Sequence, residues 1–280
     1  MQNNIATTTT TTTLNNGVKM PWFGLGTWQA RGGEVKAACK WALTAGYRHI
    51  DTAFIYGNEI EIGEAVRESG IPRDQIFITS KLWNDFLRKG PDACMKAFDD
   101  TLQRLKMEYV DLYLIHWPVP GKFKDAWRTL ERIYEEKRAH AIGVSNFMVH
   151  HLDDLLKEAK VIPAVNQVEF HPRLSQQPLL DYCVKHTIQH EAWGPLMQGQ
   201  ISQVVELIEI GATHRKSIEQ VALRWGLQKG SIMIPKSTKK ERILANASLF
   251  DFELSPIEMA RIGALDQGKR VGPNPDDFSF

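Results

Sequence analysis

Apolar and β-branched residues recur along the chain as short continuous runs. Longer stretches separate these runs, and in them the apolar positions are three or four residues apart. Continuous runs are typical of strands buried on both faces, whereas the wider spacing is typical of amphipathic helices. The runs cover 23–28, 47–52, 76–82, 110–117, 140–146, 164–170, 187–193 and 231–237. Eight strands that alternate with helices predict an α/β fold, a (β/α)₈ TIM barrel.

A doubly wound Rossmann sheet is the alternative interpretation of the same alternation. That fold calls for a G-x-G-x-x-G sequence directly after the first strand, so that backbone can approach a pyrophosphate. Here the first run offers Gly24 and Gly26, but Gln29 stands at the position of the third glycine. The missing glycine favours the barrel.

The two ends of the chain extend this pattern. Residues 7–13 are consecutive threonines, which we expect to belong to a disordered tail over 1–13, followed by one domain over 14–280. Asn16-Gly17 lies between short β-compatible segments and predicts an N-terminal β-hairpin. Helical spacing near 239–247 and again in SPIEMARIGAL follows the eighth strand, which predicts an extra C-terminal helix.

Four ionisable side chains fall where predicted strands end. Asp51 and Tyr56 follow the second strand, Lys81 ends the third and His116 ends the fourth. Taken alone, each of them favours a structural role over a functional one, because ionisable residues also occur in structural networks. In a barrel the ends of all eight strands meet at one rim, so the four are expected to converge there. Burying them together is costly unless they pair, and convergence therefore indicates a functional site.

The chemistry of this set is that of a general acid. A lysine cation favours the phenolate of a neighbouring tyrosine, so we expect Lys81 to lower the pKa of Tyr56, with Asp51 holding Lys81 charged. His116 can hydrogen-bond a substrate oxygen, and the set contains no metal-ligand spacing. A protein that supplies only a proton needs a second source of electrons, such as a hydride-donating cofactor. Asn58 with Glu61 resembles a capping box that would fix the loop carrying Tyr56.

Composition excludes several classes of partner. The formal net charge is +1, with 43% hydrophobic and 24% charged residues, so neither a nucleic acid nor a membrane surface is indicated. The three cysteines are far apart and form no CxxC, which favours a reducing compartment. We therefore expect a cytoplasmic protein.

In order, the segments GLGTW, YRHIDTAFIYGNE, FITSKLWN, DLYLIHWP, AIGVSNF, VNQVEFHP, EAWGPL and IPKS resemble the aldo-keto reductases. The resemblance covers most of the chain and is nearest to bacterial glyoxal and methylglyoxal reductases and 2,5-diketo-gluconate reductases. It implies NADPH-dependent reduction of small aldehydes or ketones. It also implies a monomer, with Tyr56 as proton donor, Asp51 and Lys81 tuning it, and His116 orienting the carbonyl.

The same resemblance implies the remaining site residues. Those expected to contact NADPH are Gly26, Thr27, Ser145, Asn146, Gln167, Trp193, Gly194, Pro195, Leu196, Gln198, Lys236, Ser237, Arg242 and Asn246. Those expected to line the carbonyl pocket are Trp28, Ile55, Trp83, Asn84 and Trp117. Within the first set, Trp193 would stack on the nicotinamide, and Lys236 and Arg242 would bind the 2′-phosphate. Ala245 replaces a frequent glutamate, which predicts weaker adenine contacts.

Two other functions compete with this one. Lys81 could be the nucleophile of a Schiff-base enzyme, which borohydride trapping would reveal. Alternatively, the chain could be a non-catalytic NADPH-binding scaffold or regulatory protein, since a fold does not fix a function. An intact set of four ionisable residues favours the reductase.

Overall fold

The computed structural model describes residues 7–280, and its centre is a closed barrel of eight parallel strands. The barrel strands are β3 (Leu25–Gly26), β4 (His49–Asp51), β5 (Phe77–Leu82), β6 (Val110–Ile115), β7 (Ala139–Ser145), β8 (Val165–Glu169), β9 (Gln189–Trp193) and β10 (Ile232–Met233). Neighbours in the chain are neighbours in the sheet. Parallel bridges from Phe23 to Met233 and from Gly26 to Lys236 join the first strand to the last. The predicted (β/α)₈ barrel is confirmed.

Helices surround the barrel and return the chain from each strand to the start of the next. They are α1 (Gly32–Thr44), α2 (Glu59–Glu68), α3 (Asn84–Lys89), α4 (Pro91–Leu105), α5 (Phe123–Glu135), α6 (Val149–Leu156), α7 (Gln177–Lys185), α8 (Val205–His214), α9 (Ile218–Gln228), α10 (Lys240–Ala247) and α11 (Pro256–Gly263). Among the described residues, short 3₁₀ segments lie at Phe54–Tyr56, Arg73–Gln75 and Met197–Gln203. The extra C-terminal helix expected from the sequence is α11. Within residues 7–280, no helix combines the length and the apolar character required to cross a membrane.

An antiparallel hairpin precedes the barrel. Its strands are β1 (Thr11–Thr13) and β2 (Lys19–Pro21), and Asn16-Gly17 lies in the turn, as the sequence predicted. The expected tail over 1–13 reaches too far, because Thr11–Thr13 pair with β2 and so belong to the folded part. β-branched threonine fits a ladder once a partner strand is present. Residues 1–6 of that expected tail lie outside the described residues.

The hairpin closes one end of the barrel. Asn15 Nδ2 donates to the carbonyl of Pro163 (3.1 Å), and Asn16 Nδ2 donates to the carbonyl of His140 (2.9 Å). Both acceptors lie at the starts of barrel strands, so the hairpin covers the N-terminal end. The C-terminal rim is left for the loops that carry the polar residues of the predicted site.

Candidate active site

The barrel brings the four predicted ionisable residues to its C-terminal rim. Asp51 is the last residue of β4, Lys81 is the last but one of β5, and His116 directly follows β6. Tyr56 ends the 3₁₀ turn that leaves β4. Parallel pairing of β4, β5 and β6 sets these strand ends side by side, which is why residues far apart in sequence meet.

Lys81 and Asp51 form a fully enclosed ion pair. Lys81 Nζ donates to Asp51 Oδ1 (2.7 Å), to Asp51 Oδ2 (2.8 Å) and to the carbonyl of Thr52 (2.8 Å). Burial lowers the pKa of Lys81, but the negative charge of Asp51 and the hydrogen bonds to its carboxylate raise it, and the pKa of Lys81 stays above its ordinary value. Three acceptors therefore hold a permanent cation below the rim.

Tyr56 lies beside this cation. Lys81 Nζ is 5.2 Å from the centre of the Tyr56 ring, and the ring meets His116 edge-on at 5.7 Å between centroids. Burial raises the pKa of Tyr56 above its ordinary value, while the charge of Lys81 opposes this rise and only partly offsets it. Lys81 thus lowers the pKa of Tyr56 in the direction that the sequence predicted, but desolvation of the phenolate exceeds this attraction, so the net pKa is raised and not lowered. Tyr56 keeps its proton at neutral pH.

His116 is a neutral imidazole. Burial, followed by the repulsion from Lys81, places its pKa well below the ordinary value. Its side chain touches the rings of both Tyr56 and Trp83, and its Nδ1 has no hydrogen-bond partner within residues 7–280. A neutral ring can donate a hydrogen bond to a substrate oxygen without adding a second cation beside Lys81.

Asn58 supports the Tyr56 loop in a way that the sequence did not predict. Its side chain makes no helix-capping bond, so the capping-box prediction is wrong. Instead, Asn58 Nδ2 donates to the carbonyls of Thr27 and Ala30 (3.0 Å each), and its Oδ1 accepts from the hydroxyl of Thr52 (2.6 Å). Asn58 thus ties the start of α2 to the loop after β3, and Tyr56 lies between these anchored segments.

A second group of predicted residues is joined by hydrogen bonds beside the four. Ser145 Oγ donates to the carbonyl of Gln167 (2.8 Å), and Asn146 Nδ2 donates to the carbonyl of His116 (2.9 Å). Asn146 has a φ of +64°, in the left-handed region that asparagine tolerates better than most side chains. Its Oδ1 accepts from Trp193 Nε1 (2.8 Å), which fixes one edge of the indole.

Gln167 connects this group to a buried acid that sequence reasoning did not single out. Its Nε2 donates both to Asp51 Oδ2 (2.8 Å) and to Glu191 Oε2 (2.9 Å), so only its Oε1 can bind a ligand. Glu191 is fully buried, and burial followed by the charge of Asp51 raises its pKa to about 8. Its Oε1 lies 3.7 Å from Nε2 of His49, another buried residue. The only indication in the sequence is that Glu191 stands in a strand end.

The predicted phosphate-binding residues lie along the loops after β9 and β10. Gly194 and Gln198 have φ values of +63° and +52°, so this loop turns sharply as it leaves the barrel. The side chains of Lys236 and Arg242 are exposed, and neither has a hydrogen-bond or ion-pair partner among residues 7–280. Two cations that have no partner in the described part of the chain leave this edge of the rim able to bind an anion.

The rest of the predicted cofactor set is placed as follows. Ser237 is buried just before α10, Asn246 is buried within α10, and Pro195 and Leu196 lie in the loop after β9. Gly26 ends β3, and the Thr27 hydroxyl donates to the carbonyl of Asp51 (2.8 Å).

Aromatic side chains form the walls beside His116. Trp83 stacks on Phe280 at 5.7 Å, and Trp117 meets Phe280 edge-on at 5.1 Å. Asn84 Nδ2 donates to the carbonyl of Phe280 (3.2 Å), and Phe278 also contacts Trp117. Three of the predicted pocket residues therefore contact the C-terminal segment, residues 276–280. The sequence did not predict contacts from the two phenylalanines of this segment. The other two, Trp28 and Ile55, are 47% and 46% exposed, on the loops after β3 and β4.

His150 and His151 contact the same C-terminal segment through Asp276. Their Nε2 atoms lie 3.0 Å and 3.6 Å from Asp276 Oδ1, a grouping that could hold a metal ion. However, the main-chain N–H of Met148 donates to His151 Nδ1, so the neutral ring carries its proton on Nε2. Burial lowers the pKa of His151 to about 4. His151 therefore presents an N–H, not a lone pair, to this carboxylate.

Comparisons with known proteins agree with this geometry. The description "Aldo/keto reductase family" matches residues 23–267. The chain is 53% identical to the glyoxal reductase of Bacillus subtilis (strain 168) over 268 residues, which are 95% of this chain and 96% of that protein. It is 41% identical to methylglyoxal reductase DkgA of Escherichia coli (strain K12) over 269 residues, with the same two shares.

A solved structure gives the same fold. The Bombyx mori aldo-keto reductase in complex with NADP superposes with a TM-score of 0.88 at 34% identity, covering 95% of both chains. The resemblance inferred from the sequence segments is therefore confirmed.

Proposed function

The chain belongs to the aldo/keto reductase family, and from this we propose that it reduces small aldehydes and ketones to alcohols with NADPH, with Tyr56 as the proton donor. One observation carries the proposal: a protonated tyrosine, a permanent cation and a neutral imidazole meet at one rim of the barrel. That combination can deliver a proton to an oxygen on which negative charge develops.

In the proposed reaction, the substrate oxygen lies between Tyr56 and His116. Bound NADPH would supply a hydride to the carbonyl carbon and leave as NADP⁺, while Tyr56 gives its proton to the oxygen, so that C=O becomes CH–OH. The phenolate left on Tyr56 is stabilised by Lys81, whose ammonium lies 5.2 Å from the ring. Asp51 and the carbonyl of Thr52 keep that ammonium oriented.

The residues present fit the proposed cofactor. Gln167 has only an acceptor free, which suits the N–H₂ of a carboxamide, and the Trp193 ring is oriented by Asn146. Lys236 and Arg242 offer exposed cations to a 2′-phosphate, and charge-assisted contacts of that type favour NADPH over NADH.

The proposed substrates are small carbonyl compounds such as glyoxal, methylglyoxal and diketo-sugar acids. Trp83 and Trp117 offer flat apolar walls with few polar groups, the ordinary composition of a small-molecule pocket. The similarity to the glyoxal reductase and the methylglyoxal reductase named above also supports this substrate class. Cytoplasmic location and a monomeric state stay predictions from the sequence.

The first experiment measures NADPH oxidation by absorbance near 340 nm, the band expected of the reduced nicotinamide, with glyoxal, methylglyoxal and a panel of larger carbonyls. Tyr56→Phe should retain NADPH binding and lose turnover by about 10²–10⁴-fold, the usual contribution of a general acid. Tyr182→Phe is the matched control, because the Tyr182 hydroxyl bonds Asp153 on an exposed surface and should leave turnover unchanged.

Two outcomes would contradict the proposal. Full activity of Tyr56→Phe would show that another group donates the proton. NADPH binding without oxidation by any carbonyl of the panel would favour the non-catalytic NADPH-binding alternative.

A further inference from the structure

The Trp193 indole is held at both ends. At the five-membered ring, Nε1 donates to Asn146 Oδ1 (2.8 Å). At the six-membered ring, the backbone of Gly272 approaches so closely that a Cβ there would lie 2.3 Å from Cη2 and 3.0 Å from Cζ3. Real Cβ atoms do not approach other atoms this closely, so glycine is required at 272 while tryptophan occupies 193 in this position.

A buried carboxylate holds the segment that contains Gly272. Glu169 ends β8 and is fully buried, and its Oε1 accepts from the main-chain N–H groups of Val271 (2.6 Å) and Gly272 (3.3 Å). His171 Nε2 lies 3.0 Å from the same oxygen, and an Arg270 guanidinium nitrogen lies 3.7 Å from Oε2. Charge-assisted bonds from backbone N–H groups to a buried carboxylate are among the stronger hydrogen bonds. Glu169 therefore holds residues 270–272 at the rim of the barrel, beside the Trp193 side chain.

We propose that Glu169 and Gly272 are positioning residues that set the plane of the Trp193 indole for the nicotinamide ring. Glu169 fixes the segment, and Gly272 lets the backbone approach the outer ring of the indole closely. This inference rests on the proposed function, because it takes Trp193 as the stacking partner of the nicotinamide.

Binding of the two halves of NADPH distinguishes a positioning role of Glu169 and Gly272 from a general structural role. A shifted indole affects only the nicotinamide half, whereas a disturbed rim affects the adenosine half as well. The probes are therefore NADPH and 2′,5′-ADP, which carries the adenosine and its 2′-phosphate but no nicotinamide. Both dissociation constants are measurable by quenching of tryptophan fluorescence or by calorimetry, without turnover.

The decisive variant is Gly272→Ala. It should weaken NADPH binding by about tenfold, the scale of coupling between residues in contact, and leave 2′,5′-ADP binding unchanged. In a Trp193→Phe background the outer ring atoms Cη2 and Cζ3 are gone, so adding Gly272→Ala should change NADPH binding by less than about twofold. Gly263→Ala is the matched control, since a Cβ there meets nothing within 4 Å.

Glu169→Gln is a second test of the positioning role, for the case that Gly272→Ala unfolds at a lower temperature than the parent protein. It replaces an acceptor oxygen by an N–H₂ group facing two N–H donors, so it should weaken NADPH binding but not 2′,5′-ADP binding. Equal weakening of both probes, or no change in either, would overturn the positioning role while the proposed function stands. Failure of the parent protein to bind NADPH would overturn both.

Discussion

Glu191→Gln should remove a large part of the pH dependence of stability between about pH 5 and pH 8. Asp51 and Lys81 already balance each other in the barrel interior, so an ionised Glu191 would leave a buried net negative charge. Burial and the charge of Asp51 raise its pKa from 4.5 to about 8 in the folded protein. Glutamine has the same shape, stays neutral at every pH and can still accept the bond from Gln167.

The size of the effect follows from proton linkage. Between the two pKa values the unfolded chain has lost the Glu191 proton and the folded chain has kept it, so the free energy of unfolding falls as pH rises. The slope is about 1.4 kcal/mol per pH unit, and the full shift amounts to roughly 5 kcal/mol. This stabilisation is complete below the unfolded pKa and is lost as pH rises through the folded value.

Buried histidines change the free energy of unfolding with pH in the opposite direction, and their contribution must be separated from that of Glu191. Burial lowers the pKa of His49 and of His190 to about 3. At a pH between this value and the ordinary pKa of histidine, both residues are protonated in the unfolded chain and neutral in the folded one. Their contribution raises stability as pH increases to about 6.5. Because this contribution is present in the parent and in the variant, it cancels in the difference between the two.

The assay is urea denaturation of parent and Glu191→Gln at several pH values across this range. The free energy of unfolding of the variant should rise relative to the parent as pH increases, by several kcal/mol in total. Exposed Glu34→Gln is the matched control, and its difference from the parent should stay flat. A flat difference for Glu191→Gln as well would show that Glu191 does not hold a proton in the fold, and would refute the reasoning.

Two further predictions concern the charged residues. Lys81→Met should lower the free energy of unfolding by about 3–5 kcal/mol, because it leaves Asp51 buried without its cation. The same variant should lose turnover. A loss of less than about 1 kcal/mol, measured by urea denaturation, would contradict the buried ion pair. Arg242→Ala should weaken NADPH binding by about tenfold, the order expected of one charge-assisted phosphate contact, while NADH binding stays unchanged. Calorimetry with both cofactors checks this, and equal losses for the two would place Arg242 away from the 2′-phosphate.

Much of the fold could be predicted from local patterns. A strand buried on both faces must be apolar along its length, so the runs ending at Asp51, Lys81 and His116 marked strands wherever they occurred. Asn16-Gly17 marked the hairpin through its own backbone preference. Thr11–Thr13 could not be assigned in this way, because a threonine run is a strand only if a partner strand lies beside it.

Parts of the candidate site needed distances that no local pattern contains. The sequence suggested that Lys81 would lower the pKa of Tyr56, but the net direction depends on how much water the fold removes from the phenolate. Asn58 stands where a helix cap is expected, yet three partners from two other segments take its side chain. The sequence indicates only that Glu191 stands at a strand end, and this position does not reveal that burial raises its pKa.

The sequence by itself determined the barrel, the family and the convergence of Asp51, Tyr56, Lys81 and His116 at one rim. Periodicity and strand order follow from short-range patterns, and the ends of parallel strands must then meet. Only the tertiary structure decided that Tyr56 and Glu191 keep their protons, and that Gly272 lies against Trp193. Desolvation and close packing depend on every neighbour that folding brings within a few ångströms, and these neighbours come from distant parts of the chain.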